Sequence, residues 1–356
     1  MKEKGKGFYS KFLKKYSSET DPGRLYHMTP AGFPELLAGT KIEPKWEEIP
    51  DKVIITCAIT GGNISREESP NLPYTPEEIG QSGIEAMDAG ASGLHIHVRD
   101  VKTGRSITDP DLFRRVIDII SEKYPVGPKN IFDLGTHGAA VMDIPLKGPR
   151  DVLTHTEALL ETVKPEEKLI EVSPVRPCPT YLTDELVIAT PENGIAHAEF
   201  LQENGMKPQI VAFHHGAVER AEKYLISTGV LKQPYYWIIM EGDSGSAIVD
   251  PISMCESLLL YVSMIRKIDQ KYGGKSVVIV GGCGRSGMYV ATLAMMLGLH
   301  IRIGMEDMVF KWPHKDVKVE SNGDEVSRAV SIAHGLGREV ATPNEYRQII
   351  GIPTRS

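Results

Sequence analysis

Short β-rich runs alternate with amphipathic helical stretches from residue 51 onward, and this pattern predicts an α/β fold of the (β/α)8 TIM-barrel class with an N-terminal extension. The β-rich runs number eight, which over about 250–300 residues fits a barrel better than a doubly wound sheet. No GxGxxG motif stands between a strand and a helix, and this weakens the interpretation as a nucleotide-binding sheet.

The expected barrel strands are, in chain order, 53–60, 93–98, 130–135, 169–173, 209–213, 235–240, 276–280 and 300–304. Between most of them, apolar residues recur at helical spacing. These expected helices are 76–89, 110–123, 217–228, 253–272 and 288–297, with a last covering helix at 324–337.

The first 50 residues differ from the rest, since they are rich in Lys, Pro and Gly and contain no long periodic segment. Only residues 11–16 have the character of a short helix. We therefore expect 1–50 to be an extension lying across the main domain or a partner subunit, with a partly disordered tail as the alternative. Residues 51–356 are then the catalytic barrel domain.

Composition narrows the classes of function. With 356 residues, 41% hydrophobic and 24% charged, the chain has the make-up of a soluble globular protein. A net charge of −7 disfavours nucleic-acid binding. No apolar run reaches the roughly 20 residues that span a bilayer, so no membrane partner is expected. The four cysteines form no CxxC pair, and together with the absence of a signal-peptide pattern they predict a cytoplasmic protein.

The sequence His95-Ile96-His97 is the first candidate for chemistry. Side chains alternate in a β-strand, so both histidines would project from one face of an otherwise apolar strand. Two neighbouring buried imidazoles without partners would be costly, and this favours a shared metal ion. Two histidines that simply hydrogen-bond in a polar core remain the alternative.

A barrel places active-site residues at the C-terminal ends of its strands. Both histidines come late in the second strand, and Glu306 and Asp307 follow the eighth. Only the first strand separates the second from the eighth, so Glu306 could reach the same metal. Two imidazoles and one carboxylate form a common catalytic zinc set.

Four stretches resemble the β-keto acid cleavage enzymes: TCAITGG at 56–62, PNLPYTPEE at 70–78, GLHIHVR at 93–99 and HIRIGMED at 300–307. The resemblance extends over about residues 51–350 and leaves 1–50 aside. It implies a zinc-dependent barrel that condenses a β-keto acid with acetyl-CoA and yields acetoacetate and a new CoA thioester. The family's zinc ligands correspond to His95, His97 and Glu306.

The same resemblance assigns catalytic roles to Arg302 and Asp307. A β-keto acid can chelate zinc, which makes the protons on its α-carbon more acidic, and a nearby carboxylate such as Asp307 can then remove one. Arg302 would neutralise the substrate carboxylate or orient Asp307. The alternative for the two residues is a salt bridge at the barrel mouth.

Departures from the family pattern bear on the substrate. Members that act on an amino-bearing keto acid place carboxylates near its ammonium group, whereas this chain has Asn63 after the first strand and Val211 and His214 at the fifth. A neutral or anionic substrate side chain is therefore favoured. The residues expected to face the substrate are Asn63, Gly135, Thr136, His137, Ser173 and His214, with Arg176 as an alternative to Ser173 at the rim.

The partners expected are small molecules and further copies of the chain. Arg285, in a glycine-rich loop after the seventh strand, is the candidate contact to a phosphate of CoA. The resemblance also suggests a homotetramer.

Two other functions compete with this interpretation. Zinc hydrolases of the amidohydrolase type are also barrels with an HxH motif, but they carry it on the first strand and add histidines from the fifth and sixth. Here HxH lies on the second expected strand, and no histidine ends the sixth. A non-catalytic CoA- or metal-binding barrel is the other alternative, although binding alone requires no base such as Asp307.

Overall fold

The computed structural model describes Trp46 and residues 49–125, 132–134, 170–182, 185–187, 190–242 and 248–355. Ile49–Ser356 forms one compact unit. Most of the expected N-terminal extension lies outside the described residues, so the domain boundary stays a prediction. No helix in the described part of the chain combines the length and the apolar character needed to cross a bilayer.

Eight parallel strands form a closed barrel, which confirms the predicted fold class. The strands are β1 (Ile55–Ala58), β2 (Gly93–Ile96), β3 (Phe132–Leu134), β4 (Val172–Val175), β5 (Lys207–Ala212), β6 (Tyr235–Glu241), β7 (Ser276–Gly282) and β8 (His300–Ile303). Neighbours in the barrel are neighbours in the chain, and β8 pairs with β1 to close it. In that pairing Arg302 lies opposite Thr56, while His95 of β2 lies opposite Ala58.

The α-helices of the described residues are α1 (Pro76–Asp88), α2 (Pro110–Lys123), α3 (Pro191–Glu203), α4 (His215–Ala221), α5 (Pro251–Tyr272), α6 (Gly287–Met296), α7 (Asn322–Gly335) and α8 (Pro343–Ile350). A π-helix, Glu222–Ile226, continues α4. Five of them begin with Thr or Asp followed by Pro. In each, the side chain before the proline accepts a hydrogen bond from the third helical N–H, and proline suits the first helical position because its missing N–H would be unpaired there.

The hydrophobic core has two parts, one between strands and helices and one inside the barrel. The inner part includes Val211, Tyr236 and Ile279 and is joined by Tyr346 and Ile350 of α8. Tyr346 also shares a hydrogen bond of 2.6 Å with the hydroxyl of Tyr236, at the start of β6. Helix α8 therefore covers the N-terminal end of the barrel interior.

Helix α8 corrects the sequence prediction, which ended the fold with a helix at 324–337. That helix is present as α7, but the chain continues through a short strand, Glu339–Val340, which pairs with Lys52–Val53 before α8 begins. The eight residues of α8 are too few to show a clear helical periodicity of apolar residues in the sequence. The capping pattern of Thr342, Pro343 and Glu345 is the signal that could have found it.

In the described part of the chain, three antiparallel hairpins extend the fold, at Val98–Arg99 with Ser106–Ile107, at Thr180–Leu182 with Glu185–Val187, and at Phe310–Trp312 with Lys315–Lys318. Each follows the C-terminal end of a barrel strand, β2, β4 and β8 respectively. They therefore lie on the side of the barrel where the active site is expected.

Candidate active site and metal centre

Three side chains converge where β2 and β8 end. The Nε2 atoms of His95 and His97 are 3.2 Å apart, and each lies 3.4 Å from Oε1 of Glu306. All three side chains are at most 9% exposed. The predicted convergence of two histidines and one carboxylate is thus present in the structure.

These spacings fit a metal ion. A tetrahedral zinc ion with ligand bonds of about 2.0–2.1 Å separates its ligand atoms by about 3.3–3.4 Å. Oε2 of Glu306 is buried and has no hydrogen-bond partner among the described residues, an arrangement that a cation would stabilise. Nδ1 of His97 lies 3.1 Å from Oγ of Ser106, the kind of outer contact that fixes a ligating imidazole.

A tight turn after β8 brings Glu306 to the histidines. Gly304 has a φ of +136°, and a Cβ there would overlap the carbonyl oxygen of Ala58 in β1. The same oxygen accepts a hydrogen bond of 3.2 Å from the Glu306 backbone N–H. The turn thus needs a glycine, because only glycine tolerates both this φ and this close approach.

Arg302 connects Glu306 to Asp307. Its Nε donates to Oδ2 of Asp307 at 2.7 Å and its Nη2 to Oδ1 at 2.8 Å, a bidentate pair. The same Nη2 donates to Oε1 of Glu306 at 2.6 Å. Arg302 therefore fixes both carboxylates relative to each other.

The pKa values of Asp307 and Glu306 are shifted in opposite directions. Burial raises the pKa of Asp307, and the charge of Glu306 adds to this rise against the opposing pull of Arg302. Burial would also raise the pKa of Glu306, but Arg302 and the two histidines together hold it well below its usual value. Glu306 is thus the anion of the pair, and Asp307 is the more basic group.

A cavity opens beside this cluster at the C-terminal end of the barrel. His95, Arg302, Glu306 and Asp307 line one side of it. The opposite side is largely apolar, with Val211, Phe213, Ile238 and Met240. Sequence reasoning did not identify Gln209 and Cys283, which also line it. For Gln209, its alternation with Val211 along β5 was the available signal.

The residues predicted to contact the substrate differ in where the structure places them. Asn63 lines the cavity. Gly135, Thr136 and His137 lie outside the described residues. Arg176, the alternative at the rim after β4, also lines the cavity.

Ser173 and His214, also expected to face the substrate, are not among the described residues that line the cavity. Val172 and Pro174 face the barrel interior and the cavity, so Ser173 between them is directed to the helix side of β4. The expected strand, 169–173, ended at Ser173, whereas β4 begins at Val172 and runs to Val175. His214 precedes α4, with Nε2 3.4 Å from Sγ of Cys178, and is not among the described residues of the cavity wall.

Arg285, the candidate contact to CoA, lies next to Gly284 at the cavity rim. Its guanidinium carbon is 3.7 Å from the ring centroid of Phe310, in the hairpin after β8. Nη1 donates to the carbonyl of Lys315 at 3.1 Å, and Nη2 pairs with Asp316. Arg285 is thus held against this hairpin while its side chain stays 43% exposed.

Fold and site together define a class, a (β/α)8-barrel enzyme whose candidate metal site and arginine–aspartate pair share one cavity at the C-terminal ends of the strands. The profile of the beta-keto acid cleavage enzyme family matches residues 52–352. The chain therefore belongs to this family.

Individual relatives agree with this assignment. A 3-keto-5-aminohexanoate cleavage enzyme of Fusobacterium nucleatum is 34% identical over 85% of this chain and 98% of its own length. A 3-dehydrocarnitine:acetyl-CoA trimethylamine transferase of Rhizobium meliloti is 28% identical over 85% of this chain and 98% of its own. The solved binary complex of ObcA with oxaloacetate shares the fold, with a TM-score of 0.62, 18% identity, and coverage of 80% of this chain and 68% of that one.

Proposed function

We propose that this protein is a zinc-dependent acyltransferase that converts a β-keto acid and acetyl-CoA into acetoacetate and a new acyl-CoA. The observation that carries the proposal is the bidentate Arg302–Asp307 pair directly beside the two histidines and Glu306, in one cavity of a β-keto acid cleavage family barrel. A metal-binding barrel without chemistry requires no base such as Asp307 beside its metal site.

His95, His97 and Glu306 would hold the metal. Two imidazole nitrogens and one carboxylate are a donor set that zinc accepts in catalytic sites, with a position left for substrate. When bound, the ion supplies Lewis acidity to the keto and carboxylate oxygens of the substrate, which makes its α-carbon protons easier to remove.

Asp307 would act as the general base. It lines the cavity, and burial raises its pKa, so its carboxylate accepts a proton more readily than an exposed aspartate does. Arg302 holds both Oδ atoms and thereby sets the direction from which the carboxylate meets the α-carbon. Arg302 is 7% exposed and borders the cavity, so it also contributes positive charge beside the substrate carboxylate.

The reaction then exchanges two acyl groups. The α-carbon of the keto acid forms a bond to the acetyl carbon of acetyl-CoA and displaces the CoA thiolate. The thiolate attacks the original keto carbon, and cleavage of the bond to the α-carbon gives the new thioester and the carbanion of acetoacetate. This carbanion takes back the proton that Asp307 removed, and acetoacetate is released. Arg285 and the neighbouring Lys315 and Lys318 supply cations at the rim for the phosphates of CoA.

We extend the proposal to the catalytic domain, the compartment and the oligomeric state of the enzyme. Residues 51–356 would be the catalytic domain, acting in the cytoplasm as a homo-oligomer, with the tetramer as the expected state. No disulfide joins two cysteines among the described residues, which agrees with a reducing compartment.

An acetoacetate assay tests the function. Purified protein is incubated with acetyl-CoA and a panel of β-keto acids, and we expect acetoacetate and a matching new CoA ester in equal amounts. Parallel incubations with amides and esters test the amidohydrolase-type alternative. Hydrolysis of one of these, with no acetoacetate from any keto acid, would refute the proposal.

A further inference from the structure

A second cavity lies between two helices and the hairpin after β8, and it shares none of its described lining residues with the active-site cavity. Its volume of about 500 Å³ is within the range usual for small-molecule sites. We call it the outer cavity. The described residues that line it are Met288, Tyr289 and Thr292 of α6, Lys311, Trp312 and Pro313 of the hairpin, and Ser327, Arg328, Ser331 and Ile332 of α7.

Two aromatic rings in the wall of the outer cavity keep accessible surface. Trp312 is 38% exposed and Tyr289 is 40% exposed, although both are large side chains of a cavity wall. The guanidinium carbon of Arg328 lies 4.2 Å from the centroid of the Trp312 ring. Exposed aromatic rings with a cation beside them are typical of surfaces on which a nucleotide base stacks.

Positive charge predominates around the outer cavity. Its described lining includes one lysine and one arginine and no acidic residue, and these two cations are paired with Asp324 and Glu325 of α7. Lys315 and Lys318, in the second strand of the hairpin, have no salt bridge among the described residues, and Lys315 Nζ lies 5.9 Å from the Trp312 ring centroid. These two lysines therefore provide charge that is available to an anionic ligand.

The hairpin connects the outer cavity to the active-site cavity. Val309 lines the active-site cavity and Trp312 lines the outer one, and three residues of extended chain span at most about 11 Å. Between them, Phe310 has the guanidinium of Arg285 at 3.7 Å and the ammonium of Lys318 at 4.1 Å from its ring centroid. A long ligand that passes these cations can therefore occupy both cavities.

Acetyl-CoA has the chemistry that this arrangement requires. Its thioester and its adenosine lie at opposite ends of a long flexible arm, and its phosphates lie at the adenosine end. Thr292 and Ser331 donate their hydroxyl protons to the carbonyl oxygens of Met288 and Ser327, so their own oxygens can accept hydrogen bonds from the exocyclic amine of a purine.

We propose that the outer cavity binds the adenosine end of acetyl-CoA, with the adenine against Trp312 and Tyr289 and the phosphates beside Lys315 and Lys318. The inference rests on the proposed function, which places the thioester of the same molecule in the active-site cavity. Trp312 is then a residue that binds the co-substrate at a distance from the reacting atoms.

A comparison of two thioesters tests the assignment. S-acetylpantetheine has the thioester of acetyl-CoA but lacks the nucleotide. For Trp312→Ala we expect the ratio of kcat/KM for acetyl-CoA to that for S-acetylpantetheine to fall about 5- to 50-fold, because the stacked base loses its partner. Both values are measured on one preparation, so the folded fraction does not affect the ratio.

Trp46→Ala is the matched control, since Trp46 is 74% exposed and is not among the residues that line the outer cavity. It should leave the ratio unchanged, and Trp312→Phe should retain part of the preference for acetyl-CoA. An unchanged ratio in Trp312→Ala, or an equal fall of kcat/KM for both thioesters, would overturn the inference.

Binding of the nucleotide fragment gives a readout that needs no turnover. Calorimetry with 3′-phosphoadenosine 5′-diphosphate should show a Kd about 5- to 50-fold higher for Trp312→Ala than for Trp46→Ala. The double variant Lys315→Gln/Lys318→Gln should raise the Kd about 3- to 10-fold, whereas Lys267→Gln, an exposed lysine of α5, should not change it. Equal binding to the two tryptophan variants would refute the role of Trp312.

The two measurements separate this inference from the proposed function. Acetoacetate formed without any dependence on Trp312 would overturn the inference alone. Fragment binding that depends on Trp312, with no acetoacetate from any β-keto acid of the panel, would support the nucleotide site and overturn the proposed function. A smaller oligomer of Trp312→Ala in light scattering, with unchanged fragment binding, would assign the outer cavity to a contact between subunits and overturn the inference.

Discussion

Both ends of the barrel contain a buried arginine–carboxylate pair, yet only one end has the features of an active site. At the N-terminal end, Arg347 of α8 donates to both oxygens of Glu171 at 2.9 and 2.6 Å, and Arg355 adds a contact of 3.0 Å. At the C-terminal end, Arg302 holds Asp307 in the same bidentate way.

The difference lies in what surrounds each pair. Helix α8 covers the N-terminal pair, and both carboxylate oxygens of Glu171 have partners. At the C-terminal end a cavity borders the pair, two histidines adjoin it, and Oε2 of Glu306 has no partner among the described residues. A buried salt bridge alone is therefore no sign of catalysis; an unpaired acceptor beside metal-binding side chains and an open cavity is a stronger sign.

Removal of a metal ligand should have the largest effect. We expect His97→Ala to lose bound zinc and essentially all acetoacetate formation, because two remaining ligands hold zinc poorly. Elemental analysis and the activity assay check this. Zinc retained at the wild-type level in the variant would show that the ligands are wrongly assigned.

Substitution of the proposed base should lower turnover and leave the metal content unchanged. We expect Asp307→Asn to keep zinc and to lower kcat by about 10²–10⁴-fold, since the amide cannot accept the proton. Zinc content and kcat measured on the same preparation separate the two effects. A kcat near that of the wild type would leave Asp307 with a structural role like that of Glu171.

Disrupting the arginine–carboxylate pair at the N-terminal end should lower the stability of the fold and leave turnover unchanged. Arg347→Met leaves Glu171 buried with Arg355 as its one remaining ionic partner among the described residues. We expect a loss of about 3 kcal/mol in the free energy of unfolding, with kcat per folded molecule unchanged. Arg114→Met, which breaks an exposed pair with Asp118, is the control and should cost about 0.5 kcal/mol or less. Denaturant titration measures both. Equal losses in the two variants would contradict the structural role of the N-terminal pair.

A pH-dependent effect on stability concerns His300, at the start of β8. Its Nδ1 accepts a hydrogen bond of 3.0 Å from the backbone of Ile54, and burial lowers its pKa to about 3. The unfolded chain takes up a proton near pH 6.5, while the folded protein does not until about pH 3. Stability should therefore fall as the pH drops through this window, by at most about 1.4 kcal/mol per pH unit.

The test for His300 compares metal-free wild-type protein with metal-free His300→Gln, so that acid release of a metal does not contribute. The variant should lose less stability than the wild type between pH 6.5 and pH 4. Identical pH dependence in the two proteins would refute the assignment.

Local sequence patterns predicted much of the site. His95 and His97 could be placed together because strand alternation is a local property, and the turn at Gly304–Asp307 follows its strand directly. Ser173, expected to face the substrate, lies on the helix side of β4, because the side it faces depends on the strand register, which the pairing with β3 and β5 sets. Arg347 and Glu171 are 176 positions apart, and no local sequence pattern indicates their contact.

The central claim is that the α-carbon of a β-keto acid attacks the acetyl group of acetyl-CoA. Acetyl-CoA labelled with ¹³C in both acetyl carbons tests this most directly, with products read by mass spectrometry and NMR. The account predicts that the label appears in the methyl and keto carbons of acetoacetate and is absent from the new acyl-CoA. Label released as acetate, or acetoacetate formed without label, would contradict it.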